Sequence, residues 1–545
     1  MSIFISQKSY KSQPELFNER YLMKIKYNYC IIIILFNFLI SCGLNKNKET
    51  ITVPKDAKAG SLYLEPDIYT SGDIELKSHN GIIVVPENRS KSDSRLIALP
   101  IVQIHATGDS IAEPIFFLNG GPGNPNIKSY HFVNNLINNH DIVLVGYRGV
   151  EGSVVLNLPE VDEFFANMPG DLIEKPTLDS MSVAYAQGAK RLQREGVDTD
   201  GYTMTEVIQD FESARIALEY NKINLFSVSY GTRLAMIYDW MYPNTIHRSA
   251  MMCVNPPEHF EWRPEVMDDH LKHYSDLYKK DIQYGDPNID IAEIIRKTSQ
   301  NIPERWLFFP IKKGYVLMST FMMLYSTENA PKLFDAWITA EKGDWSGIAM
   351  LSLSMEFMIS GALNWGDLAS KTVSSDYDYE PEMDLLSEFM PDNSIIGAPG
   401  SILGIGARGW PAKLIPDSLR SVKYSKTATL LINGNIDVST PARFGREELL
   451  PYLDNGHQVI VSEASHSPDI WGKQRQALDH MLKTFFKTGV VDDSHYTYSP
   501  ISFKVGLGYP TMMKLAVAGI TCIIIILLSI VWFVVRKIRF GKRKV

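Results

Sequence analysis

Three residue types that cooperate in nucleophilic catalysis, a serine, an acid and a histidine, each follow a short strand-like run of the sequence. The serine is Ser229, in Ser227-Val-Ser229-Tyr-Gly231, and a helix-like run comes after it. This context predicts a nucleophile elbow, in which a sharp strand-to-helix turn lifts the hydroxyl clear of a sheet. A serine hydroxyl at its normal pKa is a poor nucleophile, so it needs a base, and the base needs an orienting acid.

Asp437 and His466 are the predicted acid and base. Asp437 stands in the loop after the strand-like run 427–432, and His466 stands after the next run, 459–461. The order serine, acid, histidine along the chain is that of the α/β-hydrolase fold, and a loop after a strand is the correct place for each group. The interval between Asp437 and His466 leaves room for one helix, which we predict over 442–452.

Other residues of the same types are weaker candidates for these roles. His457 precedes its strand, so we expect it at the opposite edge of the sheet. His480 lies within a helix-like run and is expected at the surface. Asp454 is a rival acid, but it sits in a turn-like Asp-Asn-Gly.

A glycine-rich loop supplies the other half of the predicted site. The run FLNGGPG at 117–123 directly follows a strand, and successive glycines let backbone N–H groups approach a developing oxyanion. We predict that the N–H groups of Gly121 and Tyr230 form the oxyanion hole and that Asn119 and Gly120 contact substrate. The alternative is an ordinary Gly/Pro turn.

The elements around these residues predict an α/β fold. Strand-like runs lie at 82–85, 96–104, 114–118, 141–145, 224–228, 427–432 and 459–461, and helix-like runs lie at 204–220, 232–242 and 474–487. Strands that alternate with helices indicate a doubly wound, mostly parallel sheet. We therefore predict an α/β-hydrolase fold with a large helical cap insertion and a C-terminal transmembrane helix.

The cap is predicted because the strand pattern stops after residue 256 and resumes near 424. Helical patterns rich in Trp and Met take over at 315–325, 331–342 and 348–359. A separate domain joined by two linkers is the alternative. The predicted divisions are a signal peptide with lipobox (1–42), a tether and leader (43–80), the first part of the core (81–256), the cap (257–423), the second part of the core (424–500), and a stalk, transmembrane helix and basic tail (501–545).

Composition excludes several classes of protein. The chain has 545 residues and a formal net charge of −8, with basic ends and an acidic body, and this acidic balance argues against nucleic-acid binding. Four cysteines are too few for a disulfide scaffold in a chain of this length. No Cys/His cluster has zinc-ligand spacing and no glycine-rich phosphate loop occurs, so we predict no metal and no cofactor.

Both ends of the chain predict contact with membrane lipid. Residues 515–535 carry no charge, and as a helix this segment is long enough to cross a bilayer. A cluster of basic residues follows at 536–544. By the positive-inside rule the tail stays in the cytoplasm and the catalytic body lies on the periplasmic or extracytoplasmic side.

The N-terminal region resembles a bacterial lipoprotein signal. A basic segment from Met23 leads into an apolar run at 30–40, which ends in Leu39-Ile-Ser-Cys42-Gly. We predict a lipobox in which Cys42 is acylated, an interpretation that would make Met23 the start, and the choice between Met1 and Met23 stays open. The alternative is an ordinary signal peptide or anchor that contains a cysteine.

Taken together, the motifs resemble the prolyl and tripeptidyl aminopeptidase group of α/β-hydrolases over about residues 80–490. The resemblance lies in the Gly-Gly-Pro-Gly loop, the Arg148-Gly-x-x-Gly-Ser run, the Ser-Tyr-Gly-Thr elbow, the Asp-x-x-Thr-Pro acid loop and the final histidine. It implies a serine peptidase with a helical cap over its active site, which removes residues from peptides that have free N-termini. We expect Arg148 to brace loops rather than to take part in the chemistry.

The sequence departs from this family at several positions. The family's histidine before the glycines is Asn119, its first elbow glycine is Ser227, and its aspartate before x-Arg-Gly is Gly146. Serines also replace the usual glycines around His466. No triad group is lost, so hydrolysis remains expected, while the substrate preference is open.

An aminopeptidase needs an acid that holds the substrate's α-ammonium. Related enzymes use a glutamate in a cap segment, and the run 357–367 faintly resembles that segment. The resemblance makes Asp367 the first candidate and Glu356 the second, against the alternative of an ordinary solvated acid.

Two other functions stay open. A lipase or carboxylesterase at the membrane surface would use the same triad, and a non-catalytic binding protein could retain the fold. The complete set of Ser229, Asp437 and His466 argues against the binding protein, and the changes at Asn119 and Ser227 are its support.

Overall fold

The computed structural model describes residues 51–377 and 383–541, and its centre is a nine-stranded sheet. The strands of the chain are β1 Leu62–Ser71, β2 Ile74–Pro86, β3 Leu96–Ile104, β4 Ala112–Leu118, β5 His140–Val145, β6 Ile223–Val228, β7 Ile246–Met252, β8 Arg305–Trp306, β9 Phe309–Pro310, β10 Ala428–Gly434 and β11 Gly456–Val461. The sheet runs in the order β1-β2-β3-β5-β4-β6-β7-β10-β11, and β8 and β9 form a separate small hairpin.

Six neighbouring strands, from β5 to β11 in that order, are parallel, and β1, β2 and β3 extend the sheet antiparallel. The central parallel strands are buried on both faces, as in β6, where all six residues are buried, whereas the edge strand β11 is partly exposed. The fold is therefore the predicted α/β-hydrolase type, with a mostly parallel sheet.

Register places the ends of these strands at one edge of the sheet. Leu118 of β4 pairs with Ser227 of β6, and Val228 pairs with Met252 of β7. Met252 pairs in turn with Ile432 of β10. The loops that leave β4, β6, β7, β10 and β11 consequently emerge side by side, which brings the predicted site residues to a common edge.

The helices pack on both faces of the sheet and above this edge. They are α1 Val133–Leu136, α2 Pro159–Ala166, α3 Lys175–Arg194, α4 Met204–Ala217, α5 Tyr230–Met241, α6 Pro264–Lys280, α7 Ile291–Ser299, α8 Lys313–Met323, α9 Ala330–Glu341, α10 Ser346–Ile359, α11 Trp365–Val373, α12 Leu385–Phe389, α13 Ser401–Ala407, α14 Ala442–Phe444, α15 Ser467–Lys473, α16 Arg475–Thr488 and α17 Tyr509–Gly541.

The chain between β7 and β10 contains helices α6 to α13 and the β8–β9 hairpin, and we call it the cap segment. It adds no strand to the large sheet among the described residues. Its core is built mainly from large aromatic and aliphatic side chains, including the fully buried Trp337 and Trp365. The domain boundaries given above remain a prediction.

Most predicted elements agree with the structure, and the differences have physical causes. The predicted helix over 442–452 is instead a short α-turn followed by π and 3-10 turns, since Gly445 and Pro451 interrupt it. Strands β1 and β7 and helix α3 were not predicted. Strand β1 is an edge strand with mostly exposed side chains, so it lacks the apolar alternation that reveals a strand.

Arg148 braces loops, as expected. Its side chain is fully buried and its guanidinium forms a bidentate pair with Asp210, at 2.6 Å for each contact. The same group donates to the backbone carbonyls of Glu87 and Gly201, at 2.6 and 2.5 Å. A buried guanidinium with this many partners fixes the loops around β2 and β5.

Helix α17 is long and apolar enough to span a membrane between Tyr509 and Lys537. Only its first turns pack on the protein, where Pro510 and Met513 are buried against the cap segment. The apolar side chains that follow are exposed, unlike those of a core helix.

The predictions for the N-terminal end lie outside the described residues. They are the signal peptide, the lipobox with Cys42, and the choice between Met1 and Met23 as the start.

Candidate active site

Ser229 occupies a sharp turn between β6 and α5. Its backbone has φ 54° and ψ −122°, a strained conformation for any residue but glycine, and such strain is concentrated at functional sites. A Cβ on Gly231 would lie 2.0 Å from the Leu118 carbonyl oxygen, so only glycine lets α5 approach the end of β4. The sequence therefore builds the elbow that was predicted from it.

The first elbow position tolerates Ser227 because its side chain has a buried partner. Ser227 Oγ donates to the carbonyl oxygen of Ala250 on β7, at 3.3 Å. A hydroxyl that is hydrogen-bonded inside the sheet costs little to bury. The departure from the family's glycine at this position leaves the backbone of the turn intact.

Asp437 and His466 are in direct contact. Asp437 lies in the loop after β10, His466 lies just before α15, and their Oδ2 and Nδ1 atoms are 2.8 Å apart. The backbone N–H groups of Ser439 and Thr440 each donate to Asp437 Oδ1 at 2.9 Å, and Thr440 Oγ1 donates to Oδ2 at 2.7 Å. The carboxylate is therefore fixed by four hydrogen-bonding partners.

These contacts keep Asp437 ionised although it is completely buried. Burial alone would raise the pKa of Asp437, but the neighbouring His466 and the hydrogen bonds from Thr440 outweigh it and lower the pKa to about 2. A carboxyl whose folded pKa lies below its unfolded value stabilises the fold above that unfolded value, and this contribution is lost as pH falls toward 2. At neutral pH the group beside His466 is an anion.

Backbone hydrogen bonds connect Ser229 to the strand ends near this pair. The N–H of Ser229 donates to the carbonyl of Met252 at the end of β7, at 2.8 Å. The residue after Met252, Cys253, donates its N–H to the Ile432 carbonyl of β10, at 2.8 Å. Among the described residues, no hydrogen bond joins Ser229 Oγ to His466. The structure thus brings the acid and the base together and places the serine at the same edge of the sheet.

Cys253 is a buried neighbour of the pair that sequence reasoning missed. Its Sγ and the donor atoms of Asp437 and His466 all lie within 4.8 Å of one another, close enough to surround a metal ion. Burial raises the pKa of the Cys253 thiol well above its usual range, which favours the neutral thiol over a metal-binding thiolate. The direct contact between Asp437 and His466 instead suits an acid and base pair.

The loop that carries His466 is fastened to the cap segment. His466 N donates to the Tyr325 carbonyl at 3.2 Å, and the Tyr325 ring meets the imidazole edge-on at 4.9 Å. Tyr325 also donates its hydroxyl hydrogen to Ser439 Oγ at 2.9 Å, and Ser465 Oγ donates to the Leu324 carbonyl at 2.6 Å. The cap segment therefore contacts the loops of both the acid and the base.

The glycine-rich loop lies against the elbow. A Cβ added to Gly120 would be 3.2 Å from the Ser229 Cβ, so the loop backbone passes directly over the serine. Asn119 holds the loop in this position, because its Nδ2 donates to the Pro125 carbonyl at 3.0 Å and its carbonyl accepts from Tyr147 at 3.0 Å. The side chain of Asn119 is thus engaged within the loop.

Asp367 is buried and already paired, which does not suit the ammonium-binding role predicted for it. Its Oδ1 forms an ion pair with Lys371, one helical turn later, and its Oδ2 accepts the Gly123 N–H at 3.0 Å. The side chain of Asp367 is 1% exposed and that of Lys371 is completely buried. Both carboxylate oxygens are therefore occupied, and the residue connects α11 to the glycine-rich loop.

Glu356, the second candidate, is also paired. Its Oε1 lies 3.0 Å from Lys312 Nζ, and its side chain is partly exposed on α10. The carboxylate is therefore partly neutralised, and it contacts a lysine at the exit of the β8–β9 hairpin.

Replacing Asp367 with asparagine is expected to lower the free energy of unfolding by about 3–5 kcal/mol, because it leaves the Lys371 ammonium buried without a counter-charge. Urea denaturation followed by circular dichroism measures the change. The double variant Asp367→Asn/Lys371→Met should recover part of the loss, since the unpaired charge is gone. A single variant as stable as the wild type would show that the ion pair is not formed.

Part of the chain is similar in sequence to known proteins. The family model described as TAP-like protein matches residues 403–497, which include the acid and base loops. Tripeptidyl aminopeptidases of Streptomyces lividans and Streptomyces coelicolor are each 25% identical over 242 residues, which are 42% of this chain and 44% of each relative. The alignments thus span less than half the length of the curated relatives.

Two hydrolases are among the solved structures that the chain resembles at TM-scores below 0.5. A serine hydrolase from Cycloclasticus zankles is 11% identical, with a TM-score of 0.35, over 79% of this chain and all of that one. An esterase from Exiguobacterium antarcticum is 13% identical, with a TM-score of 0.34, over 73% of this chain and 97% of that one.

The sheet order and the strand-to-helix elbow define the class as an α/β-hydrolase. Within that class, the chain is similar to the TAP-like family over residues 403–497 and, at 25% identity, to the two tripeptidyl aminopeptidases.

Proposed function

We propose that the protein is a membrane-anchored serine aminopeptidase that works through Ser229, His466 and Asp437. The observation that carries the proposal is the buried Asp437–His466 pair, at 2.8 Å, at the sheet edge that also holds the Ser229 elbow. The hydrogen bond through Nδ1 leaves Nε2 of His466 as the nitrogen that accepts a proton from the serine.

In the first half of the proposed reaction, Ser229 Oγ attacks the scissile carbonyl carbon while His466 Nε2 takes the hydroxyl proton. The carbonyl oxygen becomes an oxyanion, and the N–H groups of Gly121 and Tyr230 stabilise it. The C–N bond then breaks, and His466 gives its proton to the leaving amine. The product is an ester between the substrate acyl group and Ser229 Oγ.

In the second half, water replaces the amine. His466 Nε2 takes a proton from water as the oxygen attacks the ester carbon, and the proton returns to Ser229 Oγ when the ester bond breaks. Asp437 remains an anion throughout, holds the imidazole orientation and stabilises the imidazolium. Because catalytic hydrogen bonds often form only with substrate bound, we expect Ser229 and His466 to approach each other in the complex.

The proposed substrate class is a peptide with a free N-terminus. The support is the group of relatives named tripeptidyl aminopeptidase and the Gly-Gly-Pro-Gly loop beside the elbow. Because Asp367 and Glu356 are paired with lysines, we place the substrate ammonium on neither of them. Both residues instead hold parts of the cap segment.

We further propose that α17 anchors the body outside the cytoplasm. Its apolar span is followed by basic residues, among them Arg536, Lys537 and Arg539, which favour a cytoplasmic tail. Acylation of Cys42 would add a second attachment to the same membrane.

Matched peptides with free and acetylated N-termini test the peptide specificity. The purified full-length protein is expected to release N-terminal fragments from free peptides at least about 100-fold faster than from acetylated ones, since an enzyme that binds the substrate through its free ammonium rejects a neutral amide. Mass spectrometry of the products gives both the rate and the length released. The Ser229→Ala variant is the control for a contaminating peptidase.

Two outcomes would contradict the aminopeptidase proposal. Equal cleavage of free and acetylated peptides would indicate an endopeptidase. Turnover of acyl esters without cleavage of any peptide would favour the lipase or carboxylesterase alternative. Each of these results would leave the serine-based mechanism in place.

A further inference from the structure

The cap segment has an end that exposes large apolar side chains. Leu307 and Phe308, at the tip of the β8–β9 hairpin, are 58% and 67% exposed. Phe357 and Met358, in the last turn of α10, are 65% and 50% exposed. Soluble surfaces rarely group side chains of this size, and an apolar group beside a membrane helix points to lipid.

The hairpin and the end of α10 form one surface. Just after the hairpin, Lys312 donates its N–H to Ser352 Oγ at 2.9 Å, and its Nζ bridges to Glu356 at 3.0 Å. Both partners lie on the second half of α10. The hairpin is therefore held next to the turn that carries Phe357 and Met358.

Helix α10 also packs along the first turns of α17. Ser346 Oγ donates to the Pro510 carbonyl at 3.4 Å, and a Cβ on Gly347 would lie 2.9 Å from the Pro510 ring. Each of these residues stands at the start of its helix, and an ion pair of 2.5 Å between Lys514 and Asp344 holds the same ends together. Because the two helices begin together and are in contact, we infer that they run in the same direction.

This direction sets the depth of the exposed end. Phe357 stands about 16 Å along α10 from Ser346, at a rise of about 1.5 Å per residue. The same distance along α17 from Pro510 reaches about Thr521, roughly 9 Å beyond Leu515, where the uncharged span begins. The end of α10 thus lies level with the first part of the apolar span.

We propose that the hairpin tip and the end of α10 dip into the membrane leaflet that α17 enters, as a second, non-spanning contact with lipid. The composition of α10 supports this, because its 14 residues carry one charge and form a short apolar helix. Apolar helices of this length are typical of cores or of membrane interfaces, and the far end of α10 is exposed. The inference rests on the proposed membrane anchoring.

The proposed lipid contact lies close along the chain to the glycine-rich loop beside Ser229. The chain that leaves α10 reaches the glycine-rich loop within a few residues, where Asn364 N donates to the Gly123 carbonyl at 3.0 Å. The proposed contact therefore holds this loop near the bilayer surface, and it favours peptides that are themselves attached to or adsorbed on the membrane.

Spin labels on the full-length protein test the proposal in lipid nanodiscs of phosphatidylcholine and phosphatidylglycerol. Labels are introduced by Phe308→Cys and Phe357→Cys in a background in which Cys30, Cys42 and Cys522 are replaced by serine, and the remaining Cys253 is buried. Ile111→Cys, an exposed apolar position at the opposite edge of the sheet, is the matched aqueous control. Leu527→Cys, in the middle of α17, is the lipid reference.

The readout is the accessibility of each label to oxygen relative to a water-soluble nickel complex, after subtraction of the background protein's own signal. The labels at 308 and 357 are expected to show a ratio several-fold above that at 111 and close to that at 527. If the labels at positions 308 and 357 give the same ratio as the label at 111 while the label at 527 is in lipid, this inference is overturned and the proposed membrane anchoring is not. An aqueous ratio at 527 would overturn the proposed membrane anchoring as well.

Discussion

Replacing Ser229 with alanine is expected to lower kcat by about 10⁶-fold while KM changes little. The size follows from the loss of the covalent route, which in serine peptidases removes nearly all the contribution of the triad. A residual rate from backbone N–H groups and binding is expected to remain. Steady-state kinetics on a free peptide, with an enzyme concentration high enough to follow slow turnover, measures the loss.

The chain offers a matched control for this variant in the same turn. Ser227 lies two residues before Ser229, and its hydroxyl is bonded to the Ala250 carbonyl inside the sheet. Ser227→Ala should therefore keep kcat within a few-fold of the wild type. Equal losses in the two variants would indicate damage to the elbow, and an active Ser229→Ala variant would remove Ser229 from the mechanism.

Asparagine at position 437 is expected to lower kcat by about 10⁴-fold, because the amide would hold the wrong tautomer of His466 and could not stabilise its charged form. The KM for the peptide should change little, since Asp437 is buried and does not contact substrate. Titration of Asp437 should leave no step in the wild-type rate from mildly acidic to alkaline pH, because its pKa is about 2 and the group is ionised throughout. Rate profiles against pH for both proteins test this.

The rival acid provides the comparison. Asp454 is exposed in a turn before β11, at the opposite end of that strand from the loop of His466, and Asp454→Asn should leave kcat unchanged. A large loss in that variant, or a loss below about 10-fold in Asp437→Asn, would contradict the assignment of the acid.

The elements that carry the site could be predicted because each leaves a local signal. Apolar runs mark the buried parallel strands, and Ser229, Asp437 and His466 each follow one of them directly. The chain order of the three residues then identifies the sheet edge, and the structure brings Asp437 and His466 into hydrogen-bonding contact there. The role of Ser229 with this pair stays a prediction.

The contacts made by the cap segment could not be predicted in the same way. Tyr325 packs on His466 from a position 141 residues earlier in the chain, and no local pattern indicates such a contact. Cys253 likewise meets Asp437 and His466 only because β7 and β10 are adjacent in the sheet.

The sequence contains a signal for the ion pair between Asp367 and Lys371 that the prediction did not use. Asp367 and Lys371 are four residues apart on a helix, the spacing at which opposite charges pair. That spacing offers a partner for the acid within its own helix, whereas the resemblance to the family's cap segment favoured a substrate ammonium. Burial of both groups, which the sequence does not reveal, removes the pair from solvent.

A fluorophosphonate that phosphonylates activated serines tests the central claim most directly. After reaction of the full-length protein and proteolysis, mass spectrometry is expected to find a single adduct, on Ser229, and none in Ser229→Ala or in protein unfolded before labelling. Labelling should be much slower in Asp437→Asn, since His466 then no longer activates the hydroxyl. An adduct on another residue, or undiminished labelling of Ser229→Ala, would contradict the assignment of Ser229 as the nucleophile.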